Sequence, residues 1–420
     1  MAKNQIVSVI FKDIEIGKMG YDENQRKSSF QFNPEFLVQN KYVNLFPYII
    51  RRVENVQVFS EYEGETFRGL PPLIADSLPD MFGNIVFKEW LEASNKSFGS
   101  ISPLEQLTYV GSRGMGALEF MPNKQLPLNT SIDLQEITEV VKKVMDVKTA
   151  VTEKGLSDAA LLTIFKIGTS AGGVRPKILV SENKANGELI PGDLIVSDDY
   201  NHYLIKLAVD ENQGYSKEKV EYVYYQLATQ IGIEMMPSKL IANKHFATLR
   251  FERQQGKKQH ILTASGMTGW DFQKPDNSSY DNLFKLALDL KLPHKDIQQL
   301  FKRMVFNLVF ANIDDHLKNF SFIYDDEKDK WNLAPAYDIT YPLDALLNYT
   351  RVTRALSING KRTNITKEDI LALAKQFTIK NPMGIVDEVL EATNYYETLA
   401  KEQELPSRVI EKIKSEFLVL

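Results

Sequence analysis

The stretch Asn312-Ile313-Asp314-Asp315-His316-Leu317-Lys318-Asn319 decides how the chain reads, together with Ala336-Tyr337-Asp338-Ile339 one hairpin later. Its spacing suits phosphoryl transfer. In such sites an Asp orients the attacking hydroxyl, an Asn five residues on binds metal, and a later Asp binds metal at the β/γ-phosphates. The residues between fit that order. Phe320 to Tyr324 reads as a strand, Asp325 to Lys330 as a charged turn and Trp331-Asn332-Leu333 as the returning strand. An acidic, solvated loop beside a hairpin is the plainer alternative.

Upstream, Tyr203-Leu204-Ile205-Lys206-Leu207 alternates as a strand does, placing Leu204 and Lys206 on one face. A lysine on such a rigid element can reach phosphates, although an edge-strand lysine would look the same. A helix is predicted from Lys217 to Ile231, with Val220, Val223, Tyr224, Leu227 and Ile231 on one face. Glu221 falls in its first turns, where it can pair with Lys206, although in isolation a solvated helix charge is the better reading. Earlier still, Gly168-Thr169-Ser170-Ala171-Gly172-Gly173-Val174-Arg175-Pro176-Lys177 joins close-approach glycines to two cations. It is neither a Walker A loop nor a dinucleotide fingerprint, and in isolation a plain turn is the better reading. Leu249-Arg250-Phe251-Glu252-Arg253 lies where an adenine-binding hinge would fall.

Composition excludes more than it selects. A chain of 420 residues can build two or three domains. A formal charge of -5 argues against autonomous nucleic-acid binding, which needs clustered cations. Without cysteine there is no disulfide, thiolate metal site or Cys nucleophile, which fits a reducing compartment. The apolar run Ile6 to Phe11, broken by Lys12 and Asp13, is too short for a signal sequence, and no segment has the length of a membrane span. A cytoplasmic protein with no membrane partner is expected.

Short β-branched runs, such as Val56 to Phe59, fill the first third. They flank a helix from Met81 to Ala93 with Asp80 as its N-cap. Another helical run lies between Ser131 and Met145. Residues from about 160 to 255 read as strands around the one helix at 217–231, and from about 280 onward the chain reads as helical outside the hairpin, ending with Arg408 to Phe417. The expected fold is therefore α+β and bilobal: residues 1–150 an N-terminal domain, 151–255 a mixed lobe with the phosphate loop, and 256–420 a helical lobe with the catalytic and metal-binding segments.

With these segments in hand, the chain resembles the HipA family, the serine/threonine kinase toxins of bacterial HipBA toxin–antitoxin modules. The likeness rests on Gly172 to Lys177, Tyr203 to Leu207, Val220-Glu221-Tyr222, Leu249 to Arg253, Ile313 to Ser321 and Ala334-Pro335-Ala336-Tyr337-Asp338-Ile339. Gly69 to Pro72, Leu78-Pro79-Asp80, Val110-Gly111 and Ala117 to Phe120 resemble the family's additional N-terminal domain. The resemblance implies a protein-kinase-like fold, ATP and Mg²⁺ as cofactors, and Asp314 as catalytic base, with Asn319 and Asp338 as metal ligands. It implies ATP binding by Gly172, Gly173, Val174, Arg175, Pro176, Lys177, Lys206, Leu249, Arg250, Phe251, His316, Leu317, Lys318, Asn319 and Tyr337. Ser170 takes the place of an autophosphorylated serine that ejects the loop, with Thr169 the neighbouring alternative. Two positions depart from some members. Asp315 stands where they carry Gly, offering a second candidate base, and Leu249 stands where they carry an acid. The implied partners are a HipB-like helix-turn-helix antitoxin, through which alone DNA is contacted, and a protein substrate such as an aminoacyl-tRNA synthetase. A weakly catalytic co-repressor acting as an interaction protein is the rival function.

Other chemistries fit less well. His202, His245, His260, His294 and His316 lack metal-ligand spacing. Asp325 to Asp329 lacks the EF-hand glycine and terminal Glu. Ala264-Ser265-Gly266-Met267-Thr268-Gly269 lacks the first glycine of a nucleophile elbow and is expected to be a loop.

Overall fold

The computed structural model describes residues 5–124, 131–146, 156–168, 175–192, 194, 196–209, 214–342 and 353–420. Strands β1 (Gln5–Phe11), β2 (Ile14–Asp22), β3 (Lys27–Phe32), β4 (Gln57–Phe59) and β5 (Leu118–Met121) form an antiparallel sheet in the order β4-β3-β2-β1-β5. Val7, Val9 and Phe11 alternate onto its buried face, as the period of two requires. The same stretch of chain carries helices α1 (Pro34–Val38), α2 (Pro72–Ala75), α3 (Met81–Ala93) and α4 (Pro103–Val110), of which α1 and α4 pack on this sheet. Asp80 begins α3 by accepting the Gly83 amide at 2.6 Å.

Helices α5 (Leu134–Met145) and α6 (Asp158–Gly168) precede a second antiparallel sheet of β6 (Lys177–Asn183), β7 (Leu189–Pro191), β8 (Tyr200–Lys206), β9 (Ser238–Ile241) and β10 (His245–Leu249). Its order is β7-β6-β8-β10-β9, and α7 (Lys217–Gln230) crosses between β8 and β9. Helix α6 corrects the expectation of strands from about residue 160. A short apolar run is ambiguous between strand and buried helix. Here Leu161, Ile164 and Phe165 recur at helical spacing, and Phe165 stacks on Phe87 and Trp90 of α3. One core of buried side chains thus runs from α3 through α5 and α6 onto the face of β6 and β8.

The remaining strands are the pair β11 (Arg253–Gln254) and β12 (Lys257–Lys258), and the sheet β13 (Ile261–Thr263), β14 (Ser321–Asp325) and β15 (Lys330–Leu333). Helices α8 (Ala264–Thr268), α9 (Tyr280–Asp289) and α10 (His294–Val309), with Lys367–Gln376, Pro382–Glu402 and Ser407–Ser415, complete the helical lobe. The segment expected as a loop at Ala264 to Gly269 is therefore a one-turn helix. Thr263 caps it through the Gly266 amide at 2.9 Å, and Gly269 ends it at φ +76°, a left-handed conformation that glycine adopts without Cβ strain. A second core joins the N-terminal sheet to these helices. Among the described residues no helix is long and apolar enough to cross a membrane.

Candidate active site

Alternation along β8 turns Lys206 inward, and its side chain is buried between the lobes. Its ammonium donates to Glu221 Oε1 of α7 at 2.6 Å and also to Asp338 Oδ1 from the helical lobe. Burial opposes the lysine's charge, but Asp338 and Glu221 outweigh it and hold its pKa above the ordinary value. Glu221 also meets Arg175 Nη1 at 3.7 Å.

Asp338 follows a main-chain link between the lobes, in which the Ala336 amide donates to the Glu234 carbonyl at 2.7 Å. Its φ of +56° is unusual for a residue with a Cβ, the kind of backbone outlier that concentrates at functional sites. Desolvation would raise its pKa. Lys206, Lys177 and Arg175 overcome that effect and keep the carboxyl well below the usual range, so it stays ionised. Tyr337 beside it donates to the Lys318 carbonyl at 2.7 Å and shares a 2.5 Å hydrogen bond with the Ser321 hydroxyl. Its ring stacks with Phe251, centroids 6.0 Å apart and planes at 27°. That pair joins the segment after β10 to the Tyr337-Asp338 turn.

The adjacent aspartates Asp314 and Asp315 have separate environments. Asp315 is buried and accepts from the Tyr280 hydroxyl at 2.7 Å, Arg354 Nη1 at 3.2 Å and the Leu356 amide at 3.2 Å. Arg354 also donates to the carbonyls of Asn307 and Asn312. These bonds fix the loop from beneath and occupy Asp315. Asp314 keeps an exposed side chain. Desolvation by the cleft nevertheless raises its pKa; His316 works against the rise, while Asp338 and Asp315 add to it. Asn319, in a 3-10 turn over Leu317–Asn319, donates from Nδ2 to the Asp314 carbonyl at 2.9 Å. Asn319 and Asp338 line one cavity.

The hard oxygens of Asn319 and Asp338 are the donors Mg²⁺ takes when it binds one or two carboxylates together with phosphates. No cluster of three or more His, Cys, Asp or Glu side chains able to hold a metal exists among the described residues. The residues fit a cation that completes its shell with phosphate and water.

The other expected contacts divide. Lys177 is buried and stands opposite Lys206 across β6 and β8. The Pro176 carbonyl accepts from the Leu207 amide at 2.9 Å. Lys318 lies over the Phe272 ring at 5.2 Å, and His316 packs on the same ring at 5.0 Å. Arg250 is buried, with Nε on Glu252 at 2.8 Å and its amide on the His202 carbonyl at 2.8 Å, so its side chain and N–H are already engaged. Leu317 is wholly buried in the core, which leaves only its main chain for a ligand. Leu249 is half-buried at the end of β10. Thr169, Ser170, Gly172, Gly173 and Val174 lie outside the described residues.

Sequence reasoning missed the supports that come from far along the chain. Asp76 of the N-terminal region accepts from the Thr263 amide and hydroxyl at 2.8 and 2.9 Å. A Cβ at Gly266 would stand 2.4 Å from its carboxyl carbon, so only glycine admits this approach. Helix α8, held in this way, packs on the 3-10 turn that carries Asn319. Arg253 similarly donates to the carbonyls of Gly114 and Gly116 at 2.8 and 2.7 Å, which ties the segment after β10 to the N-terminal region. No local pattern announces these contacts.

Comparison with known proteins identifies the family. Residues 169–398 match the HipA-like C-terminal domain and residues 7–121 the HipA N-terminal domain. A putative kinase, Y4dM, of Sinorhizobium fredii is 22% identical over 56% of this chain, which spans 61% of that relative's length. A putative kinase of Haemophilus influenzae is 25% identical over 51% of this chain and 68% of its own. Among solved structures, the Shewanella oneidensis toxin–antitoxin complex of HipA, HipB and operator DNA aligns with a TM-score of 0.63 and 15% identity. The alignment covers 98% of this chain and 95% of that one, and it shows a common fold.

Proposed function

The chain belongs to the HipA family, and from that premise we propose that it is an ATP- and Mg²⁺-dependent kinase of protein Ser or Thr hydroxyls, acting as the toxin of a toxin–antitoxin pair. The observation that carries this reading is Lys206, which bridges Glu221 of one lobe and Asp338 of the other. That is the ion-pair framework a phosphoryl-transfer site requires.

Lys206 and Lys177 present ammonium groups to phosphate oxygens, while Phe251 and Tyr337 border the adenine end of the cleft. Mg²⁺ held by Asn319 and Asp338 would neutralise charge on the β- and γ-phosphates. Asp314 orients the incoming hydroxyl and takes its proton as the oxygen–γ-phosphorus bond forms and the γ-phosphorus–bridging-oxygen bond breaks, releasing ADP. Its exposure and raised pKa suit that role, whereas Asp315 is committed to Arg354 and Tyr280. A HipB-like antitoxin is the proposed partner, since the Shewanella HipA of the same fold is found with HipB and operator DNA. An aminoacyl-tRNA synthetase is the proposed substrate, on family resemblance.

Incubation of the purified chain with γ-labelled ATP and cell extract tests the reading. Label on Ser or Thr of one protein, lost with Asp314→Asn, is the expected result. No transfer, despite tight association with an antitoxin, would instead establish the interaction-protein role.

A further inference from the structure

Asp80 belongs to the N-terminal region, yet its carboxylate reaches the phosphate edge of the cleft. One oxygen caps α3 through the Gly83 amide. The other, Oδ2, is buried without a hydrogen-bond partner and stands 3.8 Å from Lys177 Nζ. Both side chains are nearly inaccessible, at 6% and 4% exposure, so water does not screen the pair.

Two features bear on this placement. Lys177 lies directly opposite Lys206 on the neighbouring strand, so the two buried ammonium groups share a face of the sheet. Directly opposed like charges are destabilising. Lys206 has Glu221 and Asp338 as counter-charges, and among the described residues the ion pair of Lys177 is with Asp80. The second feature is the other flank of the glycine-rich segment. A Cβ at Gly168, the last residue of α6, would stand 3.0 Å from the Phe82 ring of α3 and 3.5 Å from the Lys177 carbonyl. The first turn of α3 therefore meets both the residue before this segment and the lysine that ends it.

We propose that Asp80 is a positioning residue for the nucleotide phosphates: it holds Lys177 in place opposite Lys206, making the start of α3 a working part of the ATP site. This rests on the kinase reading. At 3.8 Å the contact is longer than a hydrogen bond, so the ammonium is held in place with donors left for phosphate oxygens. An adenosine, which lacks phosphates, does not engage Lys177.

The test uses the full chain and calorimetric affinities for MgATP and for adenosine. Asp80→Asn is the first variant, because Asn caps a helix as well as Asp does and removes only the charge; Asp80→Ser, another good cap, is the second. Lys177→Gln should weaken MgATP binding about 10- to 100-fold, the scale of one charge-assisted hydrogen bond. Asp80→Asn should weaken it about 3- to 10-fold and leave adenosine affinity unchanged. The double variant should bind like Lys177→Gln alone, since Asp80 acts through that lysine. Unchanged MgATP affinity in both Asp80 variants, equal loss for adenosine, or independent effects that multiply in the double variant would overturn the inference while the kinase reading stands. A wild-type chain that binds no MgATP would remove both.

Discussion

The neighbouring aspartates Asp314 and Asp315 should fail in opposite ways. Asp315→Ala removes the acceptor of three bonds, from Tyr280, Arg354 and the Leu356 amide, at a site where all the groups are buried. The guanidinium of Arg354 is then left without its counter-charge. Breaking such a pair from one side costs about 3–5 kcal/mol, a large share of the roughly 5–15 kcal/mol that holds an ordinary fold together. Asp314→Asn touches an exposed side chain and should change stability by no more than about 0.5 kcal/mol. Its effect should appear in chemistry instead, as a loss of about 10²- to 10⁴-fold in phosphoryl transfer. Urea unfolding followed by tryptophan fluorescence, and label transfer from γ-labelled ATP, are to be measured on the same preparations. The reasoning is refuted if Asp314→Asn transfers phosphate like the wild type, or if Asp315→Ala unfolds at the wild-type urea midpoint.

Three other outcomes are expected. Asp338→Ala should abolish Mg²⁺-dependent ATP binding in calorimetry, because Asn319 alone offers a neutral oxygen; unchanged affinity would make the Tyr337-Asp338 turn purely structural. Ser170 should acquire phosphate on incubation with MgATP, and Ser170→Asp should bind ATP poorly, since a phosphate there brings about −1.5 to −2 charges beside those of the nucleotide. Mass spectrometry that finds the phosphate on Thr169, or on neither residue of an active chain, contradicts this. His260 is buried against Phe11 and Trp331 with both ring nitrogens unpartnered, and burial lowers its pKa from 6.5 to about 3. The unfolded chain then binds the proton more readily, so stability is lost as pH falls below 6.5, by about 2 kcal/mol between pH 7.5 and 5. His260→Gln should flatten that slope, and parallel slopes for variant and wild type would show that this histidine carries none of it.

Features governed by neighbours within a few residues could be read directly from the chain. Asp80 capping α3, the inward face of α7 and the hairpin after Asn319 follow from side-chain period and turn chemistry, which act locally. The five-residue interval from Asp314 to Asn319 carries its own geometry, because the Asn319 amide closes back on the Asp314 carbonyl. Local pattern failed at α6 and α8, where packing against Phe87 and the approach of Asp76 to Gly266 decide the conformation. It also could not choose between Asp314 and Asp315, adjacent residues of the same type. That choice rests on Arg354 and Tyr280, brought beneath the loop from either side in sequence. Asp80 presents the same division in one side chain: its capping oxygen is dictated by the three residues that follow, and its other oxygen acquires a role only when folding brings Lys177 within 3.8 Å. Charge interactions depend on distance and burial, and for residues far apart in sequence only the tertiary structure sets both.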